Sequence, residues 1–586
     1  MNKMNNSWWF RMKPRSILKT LEWFPYFALL EGEDWNKADS NAVSVSTNRS
    51  ILITRRKYIL SAHPEEVNCG YRSFMNGELD SGDIESQARN DKASFEFYGF
   101  GYVDSDSIVR ITKVGRLISE NRMTNEIFLK QLLKIQFILP KSNEPTKILF
   151  PMQVFTRVIS RLGYLRISEL AFIFGCTDFA NVDTTIQAIQ DFRCEYDRIK
   201  HPYRNQSEVK QLFVSHFLRV NPTIDNKPDT YLDYADSFTR ALMYTGLFMT
   251  RGRSINSEVY IPIHAEQKVR MLDNKFDYKP NLHNETESYM NDFGDPFNII
   301  LPWDNITQRK EIVNDKLKTF SEILSKSKSL ASEGSDINCL RNLAESTIYS
   351  NLVEADERLS RFILGERERD YIESVSKEKQ SRNDIIEKFN DILNGNDDLS
   401  ALWLEVNTWR SLISINGKHT VKRNFQLEED LTPRSFAPGI GNTPDMEMYF
   451  EDIIILPEVS LMSGVKQWEH EGSSVIDHVL KFKERNKDKK VYGLFLTKSL
   501  NVRLIWQYFI LNKESWIGDT VPVIPLTIKQ YIEIIEFIYE KNRDIESLIK
   551  LVIKLHEEAF VAKDYKMWHE SFDEKIKNWK KVEKSS

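Results

Sequence analysis

Asp445 and Glu458 are the residues of this chain best placed by type and spacing to do chemistry. They bracket the run Pro444-Asp445-Met446-Glu447-Met448-Tyr449-Phe450-Glu451-Asp452-Ile453-Ile454-Ile455-Leu456-Pro457-Glu458-Val459-Ser460. Met446, Met448 and Phe450 alternate with Glu447, Tyr449 and Glu451, the period of two that marks a strand. Glu451-Asp452 separates this strand from a second apolar one and predicts a hairpin turn. A hairpin brings its outer ends together, so Asp445 and Glu458 are expected side by side. Two carboxylates and the adjacent Val459 carbonyl make a hard-oxygen site suited to Mg²⁺. A metal held in that way activates water and offsets charge on a phosphate. The layout is that of a metal-dependent nuclease.

The acidic spacing continues. Glu458 follows Asp445 by 13 residues, and Glu471 follows Glu458 by 13. The helix predicted after the hairpin carries Gln467, Glu471 and Val475 at four-residue steps, with Gln467 one turn before Glu471 on one face. Gly472 interrupts that pattern. Glu405, on an earlier helix whose apolar residues are Leu402, Leu404 and Trp409, is a further candidate for the pocket. A charged hairpin at the surface would carry the same residues, and the pattern alone leaves both readings open. His470 and His478 bracket the helix without HExxH spacing, which argues against a zinc protease. A supporting hydrogen bond and a solvated position are both open for His478. Nothing matches GxxxxGK[ST], a dinucleotide fingerprint or GxSxG, so NTP hydrolysis, dinucleotide redox chemistry and serine-hydrolase chemistry have no signal.

These residues need a large scaffold. A chain of 586 residues predicts three or four domains of roughly 100–200 residues. Cys69, Cys176, Cys194 and Cys339 show no CxxC spacing, which argues against a zinc ribbon or a disulfide framework and fits a reducing cytosol. No apolar run approaches the roughly 20 residues of a membrane span. Phe24 to Leu30 is too short, and too soon followed by Glu31, Glu33 and Asp34, to be a signal core. The net charge is −5, but electrostatic footprints are local, so a mildly acidic total does not exclude DNA.

The first ~275 residues show helix–strand–strand–helix patterns of the winged-helix kind. In one, Tyr98 to Val103 and Ile108 to Thr112 flank a polar tetrad, and Thr112 caps a helix. A second spans roughly Phe150 to Ile199, and a third runs from Asp236 to Ile263. Arg251 and Arg253 on the third wing, with Asn256 beside them, are candidates to grip DNA, as are Arg110, Lys113 and Arg116. Solvated arginines at hairpin tips are the plainer alternative, since most protein–DNA contacts go to phosphate and base readers are few. Asn281 to Asp304 reads as a linker from its Asn, Asp, Gly and Pro content. Gln308 to Gly395 reads as charged, solvent-exposed helices forming a spacer. The last ~190 residues read as α/β, with further strands at Val491 to Leu496 and Val521 to Leu526.

The chain resembles the AlwI/BstNBI-like type IIS restriction and nicking endonucleases over most of its length. Its N-terminal marks are Pro14-Arg15-Ser16, Glu31-Gly32 with Trp35, Tyr98-Gly99-Phe100, Ile111-Thr112 with Gly115, Phe128-Leu129-Lys130-Gln131-Leu132, and Arg240 with Tyr244-Thr245-Gly246-Leu247-Phe248. Its C-terminal marks are Gly441-Asn442, Pro444-Asp445-Met446-Glu447, Glu458-Val459-Ser460, and Gln467 with Glu471. The resemblance implies a multidomain α+β protein: winged-helix-like DNA-recognition subdomains over 1–280, a helical linker over 281–395, and an α/β cleavage domain of PD-(D/E)xK type over 396–586. It implies that Asp445, Glu458 and the Val459 carbonyl hold Mg²⁺, with Glu471, Gln467 and Glu405 catalytic, and that Arg15 joins the DNA-binding cations. Ser460 departs from the broad nuclease motif, which has lysine there; Lys466 is a candidate substitute. The implied function is recognition of a short asymmetric double-stranded DNA site and cleavage at a fixed distance outside it, leaving 5′-phosphate ends. The implied partners are a second copy or a small catalytic subunit, and a cognate DNA methyltransferase, in the cytoplasm of a prokaryotic host. A strand-specific nicking enzyme or the large subunit of a heterodimer is the nearest alternative. A non-catalytic winged-helix regulator is the alternative of another class, although such a protein would be expected to have lost one of its acids. A helical scaffold leaves the hairpin unexplained.

Overall fold

The computed structural model describes residues 7–45, 48–67, 70–77, 84–139, 147–199, 206–222, 224, 227–252, 254–275, 278–326, 334–395, 398–416, 420–436, 443–513 and 520–585. The chain forms two compact units that divide between Ile312 and Val313, inside the helix Ile306–Lys326. No described helix is long and apolar enough to cross a membrane.

The first unit is built from helices and short antiparallel strands around one apolar core rich in aromatic rings. The strand Gly101–Val103 pairs with Val109–Ile111, Tyr102 opposite Arg110. Thr112 then caps the helix Lys113–Ser119, its Oγ accepting from the Gly115 N–H at 3.2 Å. A Cβ on Gly115 would lie 2.0 Å from the Phe100 carbonyl, so glycine is what lets this helix close on the hairpin. The strand Tyr164–Arg166 pairs with Glu258–Tyr260, which pairs in turn with Met249–Arg251. The second and third expected units therefore share one three-stranded sheet and one core instead of standing apart.

Residues 281–304 differ from the expected linker. Met290, Phe293, Leu301 and Trp303 are buried in the first unit. Trp303 donates its indole N–H to Glu126 at 2.9 Å, and Lys134 donates to the Asp295 carbonyl at 2.8 Å. Composition marks this stretch as irregular backbone, but it contains the helix Thr286–Phe293, and a few large apolar side chains pin it down.

In the second unit, Ile306–Lys326, Gly334–Glu345 and much of Tyr349–Glu373 enclose a small core of Val313, Phe320, Leu340, Leu352, Leu359 and Ile363. The end of Tyr349–Glu373 and the helix Lys379–Asn394 turn Tyr371, Ile385, Phe389 and Ile392 into a larger core. The spacer helices thus have a buried seam beneath their charges. The larger core surrounds a five-stranded mixed sheet. We label its elements α1 (Ser400–Ser414), β1 (Thr420–Arg423), β2 (Met446–Tyr449), β3 (Ile453–Ser460), α2 (Gly472–Arg485), β4 (Lys490–Thr497), α3 (Val502–Lys513), β5 (Val523–Thr527) and α4 (Ile528–Glu540). The strand order is β1-β2-β3-β4-β5. The first three strands run antiparallel and the last three parallel. Every residue of β4 from Val491 to Thr497 is buried. Successive strand residues face opposite ways, so helices must cover both faces, as parallel sheets require.

Candidate active site

The hairpin is formed by β2 and β3, with Met448 opposite Ile455 and Tyr449 opposite Ile454. Continued three residues outward, that register sets Asp445 opposite Glu458, as the sequence predicts. Val459 confirms the approach: its N–H donates to Asp445 Oδ2 at 2.9 Å. The other side of Asp445 is tied to β1, where the Asn424 N–H donates to the Asp445 carbonyl at 3.0 Å. Asp445 keeps partial exposure, and Glu458 is buried.

Each remaining acid has its own support. The His478 ring sits on α2, and its Nδ1 bonds Glu458 Oε1. Ser460 lies two residues beyond Glu458, on the same face of β3. Its Oγ donates to Glu471 Oε1 at 2.8 Å and accepts from the Met462 N–H at 3.1 Å. Glu471 ends a single π turn, Gln467–Glu471, in which the Gly472 N–H reaches back five residues to the Gln467 carbonyl. Such turns cluster at functional sites. Gly472, which breaks the sequence pattern, has a packing reason: a Cβ there would lie 2.9 Å from Gln507 Oε1 and 3.2 Å from Leu504 Cδ1 on α3. Glu405 is buried on α1 and is close enough to raise the pKa of Glu458.

Gln467 is placed differently from its expected role. Its Nε2 donates toward the Met462 carbonyl (3.0 Å), Thr497 Oγ1 (2.9 Å) and the Ser499 carbonyl (2.8 Å), and its Oε1 accepts from the Asn501 N–H at 2.8 Å. Both ends of the amide are occupied in latching the loops after β3 and β4. Lys466 is exposed, as is His470.

Electrostatics set the chemistry. Burial, and then the charge of Glu458, hold the Asp445 carboxyl well above the usual carboxylate range; Glu471 adds to this, and the Val459 N–H opposes it. Burial, then Glu471 and Glu405, do the same for Glu458. Among the described residues no three His, Cys, Asp or Glu side chains form a ready metal cage. The smaller set of Asp445, Glu458 and the Val459 carbonyl still fits Mg²⁺, which keeps several waters and takes one or two carboxylates plus phosphate oxygens. A strand residue presents its N–H and C=O on the same edge, so the Val459 carbonyl leaves on the side of Asp445. The mutual repulsion of the acids is what a divalent cation would relieve.

The AlwI restriction endonuclease family matches residues 98–534. The chain belongs to the AlwI restriction endonuclease family. The match spans more than half of the sequence and includes Asp445, Glu458 and Glu471. Among solved structures, this AlwI-family chain is similar to the small subunit of the heterodimeric restriction endonuclease R.BspD6I, at 24% identity and a TM-score of 0.28, over 33% of this chain and 98% of that one. No protein of curated description matches it.

The DNA-binding candidates of this family member lie in the first unit, and the described cations among them carry partners. Arg251 donates to Glu258 at 3.0 Å and stacks on the Tyr260 ring at 4.6 Å. It is a strut inside the sheet, because β-register sets it opposite a buried glutamate. Arg253 lies outside the described residues. Asn256 is part-buried, and its Oδ1 has no hydrogen-bond partner. Arg15 pairs with Asp233, Arg110 with Asp104, Lys113 with Asp295 and Arg116 with Glu31, all with the cation about half exposed or more.

Sequence reasoning missed Tyr508 on α3, which is fully buried with a hydroxyl that has no partner. It stands fifty residues beyond Glu458, where no spacing points to it. It also left the role of His478 open, though a histidine on an amphipathic face after two acids was the available signal.

Proposed function

We propose that the chain is a Mg²⁺-dependent type IIS restriction endonuclease. It recognises a short asymmetric double-stranded DNA site with its first unit. It hydrolyses a phosphodiester bond at a fixed distance outside that site with its second, leaving 5′-phosphate and 3′-hydroxyl ends. The observation that carries this reading is the pairing of Asp445 with Glu458 across a hairpin in a mixed sheet, each carboxyl group already hydrogen-bonded. The same pairing supports a PD-(D/E)xK-type description of the sheet. Hairpins that follow helices in the first unit support a winged-helix-like description there.

Bound Mg²⁺ would supply a water of lowered pKa and positive charge against the phosphate in transition. The protein's own groups do the positioning. Val459 pins one oxygen of Asp445 and leaves the other to face a ligand. Burial lowers the basicity of His478 and so favours the neutral ring. Its proton must then sit on Nδ1 to serve an ionised Glu458, which leaves Nε2 bare. Ser460 brings no charge where the broad motif has lysine. It holds Glu471, the carboxylate best placed to orient the attacking water and accept its proton. Glu405 adds charge at the rear of the site.

The sequence contains one such hairpin, so one chain cuts one strand. That favours, as a second reading, a nicking enzyme or the large subunit of a heterodimer; a double-strand break needs a second copy or a small catalytic partner. A methyltransferase protecting the same site in the same cytoplasm would complete the system. Run-off sequencing of plasmid DNA incubated with the purified chain and Mg²⁺, with EDTA and Asp445→Ala controls, tests the proposal. Breaks at a fixed offset from one short asymmetric sequence support it, and breaks on one strand select the second reading. DNA binding without Mg²⁺-dependent breaks would sink it in favour of a regulator.

A further inference from the structure

The main chain of Asp445 is held by Asn424, the residue that follows β1. The Asn424 N–H donates to the Asp445 carbonyl at 3.0 Å. Its side-chain amide donates to the Pro444 carbonyl and to Glu447 Oε1, each at 2.8 Å. Glu447 is buried and is held from two more sides, by Lys422 at 2.8 Å and by the Tyr449 hydroxyl. Residues 444, 445 and 447 thus all bond to one asparagine.

Asn424 is anchored in turn. Arg423 donates Nε and Nη2 to the two oxygens of Glu368 at 2.8 and 2.7 Å, and Nη1 to the Phe425 carbonyl at 2.7 Å. One guanidinium therefore fixes the chain on both sides of Asn424. The paired side chains are 18% and 23% exposed. A two-bond arginine–carboxylate pair sets orientation as well as attraction, and a partly buried one is screened less than a surface pair. Next to Glu368, Arg367 donates to the Glu429 carbonyl at 3.0 Å. Both belong to the helix Tyr349–Glu373, whose 25 residues span roughly 37 Å at about 1.5 Å each. That helix places Leu352 and Leu359 in the small core and Tyr371 in the large one, against Trp409 of α1.

We propose that Glu368, Arg423 and Asn424 are positioning residues that set the main chain of Asp445 against the long helix. This rests on the reading above that Asp445 is an acid of the cleavage site. The helix fixes Arg423, Arg423 fixes the chain around Asn424, and Asn424 fixes residues 444 and 445. Without the pair, Asp445 stays in the sheet but loses its reference to the helix. A displacement of about 1 Å in a reacting group can slow a reaction about a hundredfold.

The test uses the full chain as wild type, Asn424→Ala, Arg423→Ala, Glu368→Gln and the Arg423→Ala/Glu368→Gln double variant. Single-turnover cleavage at saturating DNA and equilibrium DNA binding are both measured, well below each protein's melting temperature. Cleavage should slow about 10- to 100-fold in Asn424→Ala and Arg423→Ala. It should slow less in Glu368→Gln, which keeps one acceptor. DNA affinity should stay at the wild-type value in all of them. The double variant should be no slower than Arg423→Ala, because both changes break the same interaction. Glu368→Gln carries the test by itself if Arg423→Ala does not fold. Wild-type cleavage rates in the folded variants would overturn the proposal and leave the nuclease reading standing. So would losses that multiply in the double variant, or a rate loss matched by a loss of DNA affinity, which mark a general disturbance of the fold. If the wild type itself makes no Mg²⁺-dependent breaks, the nuclease reading fails, and the three residues lose this role with it.

Discussion

Val459 donates its backbone N–H to Oδ2 of Asp445 at 2.9 Å, tying the hairpin together at the point where its two carboxylates meet. The bond uses main chain on one side, so it survives any substitution at 459 except proline. It also makes Asp445 a directed ligand, one oxygen held and the other open. In a hydrophobic sheet this arrangement places negative charge where burial opposes it, which is stable only if protons or a cation compensate.

Removing Asp445 should therefore separate function from stability. Asp445→Asn keeps the shape and deletes the charge. Cleavage is expected to fall by more than about a hundredfold, beyond what loss of an outer partner causes, while DNA binding by the first unit stays near wild type. The melting temperature in EDTA is expected to rise, as it does when a strained active-site charge is removed. A drop in both binding and melting temperature would make the acid structural.

The same repulsion predicts a pH dependence. Asp445 and Glu458 have folded-state pKa values raised by burial and by neighbouring acids. A raised carboxyl stabilises the fold fully below its unfolded pKa, about 4, and that contribution is lost as pH rises through the folded value. In EDTA the second unit should thus lose stability as pH climbs from about 4 towards neutrality, and Asp445→Asn should flatten the trend. Melting curves across this range, with and without Mg²⁺, check it; no change in slope for the variant would show that the two acids are not coupled to folding.

Gln467 is expected to behave as a latch. Its amide joins the loop after β3 to the loop after β4 through both ends. Gln467→Ala leaves buried groups without partners, at a cost of about 1–3 kcal/mol. Chemical denaturation should show that loss, while folded protein retains its Mg²⁺ requirement. A shifted Mg²⁺ requirement at unchanged stability would return Gln467 to the catalytic set.

Much of this site was legible because strand alternation and a two-residue turn are local signals. They set the hairpin register, and the register alone brings Asp445 to Glu458. What was not legible depends on contacts distant in sequence. Gly472 looks like a helix defect until α3 is seen against it. Residues 281–304 have a loop composition, yet Trp303 and Phe293 bury them, which a window average cannot register. The spacer helices 306–394 likewise look solvated because their charges outnumber a narrow buried seam.

The cations of the first unit separate into two kinds, and mutation should show it. Arg116 and Lys113 are more than half exposed in pairs with Glu31 and Asp295. Surface pairs of this sort contribute about 0–1 kcal/mol, so either cation can exchange its partner for a phosphate. If they do contact DNA, Arg116→Ala and Lys113→Ala should each weaken binding across all sequences and reduce the salt slope by about 1, with little change in melting. Arg251 is 22% exposed and faces a glutamate that is 6% exposed. Arg251→Ala takes one cation from that buried carboxylate and one stacking partner from Tyr260. It should destabilise the first unit by roughly 2 kcal/mol, and lose DNA binding only as far as it unfolds. Titrations at several salt concentrations, run beside melting curves, distinguish the two. An Arg251→Ala protein that melts like wild type but binds DNA with a smaller salt slope would restore Arg251 to the DNA-facing surface.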